Sequence, residues 1–136
     1  MAICRPCLIL RGLALSLWLG ALLFFSIQEQ DALQLPPFKL WDKLQHALGY
    51  GLAAFLALRF WTLFQQEVKK GCRQVLVCIS AYSGLVELMQ AGLTRTRHAE
   101  FSDLVANVFG ICVTCLLYLA AARFRLSDRR TEAGGE

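Results

Sequence analysis

Residues 8–27 read LILRGLALSLWLGALLFFSI, twenty positions that carry a single charge, Arg11. A run of that length and polarity matches the roughly 20 residues that cross a bilayer as an α-helix. Working outward, three further apolar blocks follow over 44–64, 75–93 and 103–122. None alternates apolar and polar residues in short strands, as a transmembrane β-barrel requires. The sequence therefore predicts an all-α polytopic membrane protein, an antiparallel bundle of four transmembrane helices in one domain over 1–136. The spans consume most of the chain and leave no room for a separate soluble catalytic or nucleotide-binding domain. With 57% hydrophobic and 18% charged residues, the composition excludes disorder. No internal repeat or low-complexity segment is present.

Arg5 and Arg11 precede the first apolar run, as in a signal peptide. That run is long, however, and Gln28-Glu29-Gln30 follows it without a small-x-small cleavage site, so it reads as an uncleaved span. Ten basic residues cluster at the N-tail, the second loop with its edges (Arg59, Lys69, Lys70 and Arg73) and the C-tail, against Lys39, Lys43, Arg95 and Arg97 on the opposite side. The positive-inside rule then predicts cytoplasmic N and C termini. On this reading the net charge of +4 is a topology signal, and no nucleic-acid partner is expected. Trp41 and Trp61 stand near opposite ends of the second span as interfacial anchors. Cys4-Arg-Pro-Cys7 and Cys112-Val-Thr-Cys115 have no histidine near them in sequence, and no metal or redox role is assigned to them.

Ionisable groups in hydrocarbon are costly and call for a partner or a purpose. In the second span Asp42, His46 and Tyr50 are spaced i, i+4, i+8 and share one helix face. In the third, Ser80, Ser83, Glu87, Gln90 and Thr94 advance by threes and fours and form one polar stripe. The fourth opens with Asp103, followed by Asn107 and Gly110 on one face. Ser102 or Asp103 is placed to cap this helix. The topology puts Asp42, Lys43, His46, Glu87, Gln90, Arg97, Asp103 and Asn107 in the outer half of the membrane. Three stripes at one depth predict a shared pocket facing the outer surface.

These residues, in this order, resemble the VanZ-like family of small bacterial membrane proteins. The resemblance spans residues 42–110: Asp42-Lys43-Leu44-Gln45-His46 with Tyr50, Glu87-Leu88-Met89-Gln90, Arg97, and Asp103-Leu-Val-Ala-Asn107-Val-Phe-Gly110. Arg95-Thr96 stands where the family often has Pro-Gly. Thr114 stands where a second glycine often follows, which implies looser helix packing there, although Ala106-x-x-x-Gly110 still offers a small-residue contact. The family is named for an accessory role in reduced susceptibility to glycopeptide antibiotics, notably teicoplanin. The resemblance thus implies a cell-envelope setting and no particular reaction.

Three functions fit these residues. In the first, the pocket binds, or modifies, an amphiphilic envelope molecule such as a polyprenyl-linked intermediate, a phospholipid or a lipid-attached glycan. Arg97 and Lys43 would then hold an anionic group, with Gln90, Asn107, Asp42 and Tyr50 lining the pocket. Any acid–base work would fall to Glu87, His46 and Asp103. In the second, the protein is a non-enzymatic accessory whose polar cluster staples the helices, for instance through Glu87–Arg97 and Arg97–Asp103 ion pairs. Breaking such a buried pair costs about 3–5 kcal/mol. In the third, it is a small proton-coupled transporter, but no polar path continues past Cys112, Cys115 and Leu116. One His and two carboxylates, with His98 joining, have the chemistry to hold a divalent metal. There is no His-Glu-x-x-His motif, and His98-Ala99-Glu100 lacks the cysteine motif of a zinc deaminase. The sequence reading accordingly assigns no metal and no cofactor, and its expected partners are membrane lipids.

Overall fold

A computed structural model describes residues 5–28, 39–64, 67–93 and 100–133, with side chains over 5–28, 41–64, 67–93 and 100–125. The described chain is all α-helix: α1 (Arg5–Ser26), α2 (Lys39–Trp61), α3 (Val68–Leu93) and α4 (Phe101–Ala133). Each covers one of the four expected blocks, though α1 ends one residue and α2 three residues before the expected boundary. α3 starts seven residues before its block because Lys69, Lys70 and Arg73 point outward while Gly71 and Cys72 are buried. α4 opens at Glu100, whose carbonyl accepts the amides of Asp103 at 2.9 Å and Leu104 at 3.5 Å. That leaves Asp103 in the first turn, where the helix dipole favours a carboxylate. At its other end α4 continues helical through the basic tail to Ala133.

α1, α3 and residues Phe101–Arg125 of α4 are long and apolar enough to cross a membrane by length and composition. α2 has 23 residues, about 34 Å of helix, which is also sufficient length. Gln45, His46, Tyr50 and Arg59 keep it less apolar than the others. α2 touches all three other helices, so much of its surface meets protein. The outer surface carries large apolar side chains on every helix, among them Leu17, Leu48, Leu88 and Leu117. An apolar exterior of this extent suits lipid rather than water.

Pairing follows from the contacts. Arg11 donates to the Arg59 carbonyl and Trp18 to the Gly49 carbonyl, which sets α1 antiparallel to α2. Cys72 meets Cys115, and Ser83 meets Asn107, so α3 runs antiparallel to α4. α2 and α4 run parallel and share the most extensive interface. Small residues bring these two together: a Cβ added at Gly110 would collide with the Ala47 carbonyl oxygen, and one at Gly51 would lie 3.3 Å from the Gly110 carbonyl oxygen. Thr114, where looser packing was expected, tightens the crossing instead, since its hydroxyl donates to the Gly51 carbonyl at 3.1 Å. α1 makes no contact with α4. The core centres on Tyr50, Ala54, Leu58, Val75, Ile79 and Ile111, with Cys72 and Cys115 beneath.

Candidate functional site

The polar groups gather at one end of the bundle, where α2 and α4 begin and α3 ends. Each face anticipated from i, i+4 spacing points inward there. Asn107 is at the centre and fully buried, between α2 and α3. Its amide nitrogen donates to Ser83 Oγ at 2.8 Å and to Glu87 Oε1 at 3.4 Å. Its carbonyl oxygen lies 3.1 Å from His46 Nδ1. An ionised Glu87 carboxylate can only accept, so it fixes the Asn107 amide with its nitrogen toward α3. The carbonyl is then turned to His46, which must carry its proton on Nδ1. The sequence Glu87, Asn107, His46 is therefore a directed relay that leaves His46 Nε2 facing away from it.

His46 Nε2 looks toward Asp103. Nε2 lies 3.9 Å from Asp103 Oδ2, beyond hydrogen-bond range. Asp103 is buried, and its other oxygen, Oδ1, accepts from the Lys43 ammonium. Lys43 also pairs with Glu100 Oε2 at 3.2 Å, and Ser102 Oγ donates to that same oxygen at 3.0 Å. Lys43 is thus engaged by two carboxylates of its own chain. Asp42 is half-buried, one turn before His46, and it brings a carboxylate oxygen into the space that His46 and Asp103 share.

Of the remaining sequence candidates, Gln90 is buried one turn beyond Glu87, and Tyr50 is buried one turn below His46. The Tyr50 hydroxyl lies beside Ser83 but makes no well-formed hydrogen bond to a described residue. Arg97 and His98 lie outside the described residues. Two partners were not anticipated: Ser83 as an anchor of Asn107, and Lys43 as the cation of Asp103. The signal for Lys43 was its place one residue after Asp42 at the head of α2, beside the head of a parallel α4.

An apolar groove of about 610 Å³ runs between α3 and α4 and opens on the outer face of the bundle. Ala81, Gly84, Leu88, Leu104 and Phe101 form its walls, and Glu87 and Glu100 also line it. A Cβ on Gly84 would meet nothing within 4 Å, so this glycine leaves the groove open. On the other side of α4, a second apolar groove of about 640 Å³ follows α2 along Leu48, Phe55, Phe109 and Leu117.

No protein-family model, curated protein or solved structure matches the chain.

Proposed function

We propose that the protein is a multi-pass protein of the bacterial plasma membrane with both termini cytoplasmic. Its polar cluster, in the outer half of the bilayer, binds the head of an amphiphilic envelope lipid or lipid-linked glycan. The observation that carries this reading is the α3–α4 groove. Its walls are apolar and open to the exterior, and it is lined in part by Glu87 and Glu100, two residues of the polar cluster. An acyl or prenyl chain fits the apolar part, and a polar head then meets the Glu87–Asn107–His46 relay. Its volume lies within the roughly 300–1,000 Å³ typical of ligand pockets. Lys43 is held by Asp103 and Glu100. Recognition of an anionic head on this reading falls chiefly to Arg97, with Lys43 as a secondary contact. The VanZ-like residue pattern supports the envelope setting and an effect on teicoplanin susceptibility.

A polyprenyl phosphate carrying a diazirine in its chain, incorporated in nanodiscs with the full chain, tests the proposal. Cross-links should concentrate on Gly84, Leu88 and Phe101 and fall several-fold in Gly84→Leu. Labelling spread evenly over all exposed faces, and indifferent to Gly84→Leu, would mean ordinary annular lipid and remove the proposal. The accessory reading has one specific support of its own: Asn107 links α2, α3 and α4 through buried hydrogen bonds. As a staple, this cluster would leave cross-linking even while making Asn107→Ala strongly destabilising.

A further inference from the structure

We infer that Asp42, His46 and Asp103 form a binding site for one divalent cation of mixed nitrogen and oxygen preference, such as Zn²⁺ or Mn²⁺. The three offer ligand atoms that all lie within 4.8 Å of one another. Two come from adjacent turns of α2 and the third from the first turn of α4, so two rigid helices set the site. Proximity alone is common among acidic groups. The distinguishing observation is the orientation of His46.

Glu87 and Ser83 fix Asn107, the Asn107 carbonyl faces His46 Nδ1, and Nε2 is thereby turned toward Asp103 Oδ2, 3.9 Å away. At 3.9 Å no direct hydrogen bond can form, whereas two ligand atoms each about 2.1 Å from a shared ion can stand that far apart. A metal-binding histidine characteristically donates its other ring N–H to a carbonyl or carboxylate, which fixes the tautomer. His46 does so through Asn107.

Asp103 divides its two oxygens. Oδ1 takes the Lys43 ammonium and Oδ2 faces His46. The ammonium therefore leaves the ligand position open. One imidazole and two carboxylates suit Zn²⁺, Mn²⁺ or Fe²⁺ better than a soft ion. Three protein ligands also leave coordination positions for water or for an anionic oxygen of a ligand. This inference stands apart from the lipid reading, because its probe is the metal alone.

The test uses the full chain in detergent after chelation, titrated with Zn²⁺ by calorimetry and with Mn²⁺ by electron paramagnetic resonance. The parent should bind one ion per chain. Asp42→Asn and His46→Gln should each weaken binding tenfold or more. Asn107→Ala, which releases the ring, should weaken it by about 10–100-fold. Glu67→Gln, which removes an exposed carboxylate at the opposite end of the bundle, should bind within threefold of the parent. Asp42 is half-buried, so Asp42→Asn keeps the test available should a substitution at the buried Asp103 fail to fold. The inference is overturned if the parent takes up neither ion at millimolar concentration. It is equally overturned if Asp42→Asn and His46→Gln bind as the parent does.

Discussion

Gly110→Ala should unfold the protein more readily than any other glycine-to-alanine change in the four helices. The added Cβ would collide with the Ala47 carbonyl oxygen and lie 2.7 Å from its carbon, against about 3.4 Å for ordinary contact. The obstacle is backbone and cannot rotate away. The α2 and α4 backbones must part by more than this difference of about 0.7 Å, because the oxygen contact is closer still. His46 adjoins Ala47, and Asn107 lies one turn before Gly110. Their 3.1 Å contact would stretch beyond about 3.8 Å, outside hydrogen-bond range. Overpacking of this kind costs about 1–3 kcal/mol, and stranding a buried polar pair adds about 1–3 kcal/mol. Alanine returns about 1 kcal/mol through helix propensity. The net expectation is a loss of about 3 kcal/mol. Gly20→Ala and Gly92→Ala are the controls, since a Cβ at either meets nothing within 4 Å. They should be neutral or gain up to about 1 kcal/mol. Equilibrium unfolding in mixed micelles gives the energies, and the His46 ring nitrogen resonances report the relay. Gly110→Ala within about 0.5 kcal/mol of the parent, with those resonances unmoved, would refute the reasoning about this crossing.

Other substitutions probe the cluster directly. Lys43→Met should cost about 2–4 kcal/mol, because it leaves Asp103, whose side chain is only 8% exposed, without its cation. Adding Asp103→Leu should recover most of that loss, and a double-mutant coupling near zero would show that the pair is not energetically linked. Asn107→Ala should cost about 2–4 kcal/mol and move the His46 proton off Nδ1, as read by ring ¹⁵N shifts; an unchanged tautomer would dissolve the relay. Tyr50→Phe should stay within about 1 kcal/mol of the parent, since its buried hydroxyl makes only a poorly formed contact with Ser83; a larger loss would show that this contact, or a bound water or ligand, holds the hydroxyl. Trp18→Phe should cost about 1 kcal/mol in the same unfolding assay through its bond to the Gly49 carbonyl, and a value near zero would show that this bond does not anchor α1.

Helix existence was legible because an apolar run near 20 residues has few alternatives. The inward faces were legible too: Asp42 with His46 and Tyr50, Ser83 with Glu87 and Gln90, and Asp103 with Asn107 and Gly110 each share a face by spacing alone. Helix ends were less so. The first turns of α3 mix Lys69, Lys70 and Arg73 with buried Gly71 and Cys72, and hydropathy averages across both faces. What spacing cannot give is the rotation of one helix relative to another. That rotation makes α2 and α4 parallel neighbours and turns Lys43 onto Asp103 rather than toward a lipid phosphate. Thr114 shows the same limit from the other side. Its size argued for a looser crossing, while its hydroxyl found a carbonyl only visible once α2 was in place.

The attachment of α1 carries a consequence for how sequence can drift. Its only buried residue is Ser26, and it makes no contact with α4. Three of its polar ties are directional bonds to main-chain carbonyls: Arg11 to Arg59, Trp18 to Gly49, and Tyr82 of α3 to Leu19. A carbonyl is the same whatever residue bears it, so these ties place no demand on the identity of positions 19, 49 or 59 as acceptors. Most of α1 presents an apolar surface suited to lipid, a solvent that distinguishes poorly among leucine, isoleucine, valine and phenylalanine. Deep mutational scanning should therefore find α1 tolerant of apolar exchange almost throughout, with Arg11, Trp18 and the buried Ser26 standing out as isolated sensitive positions. The other three helices should show continuous sensitive faces.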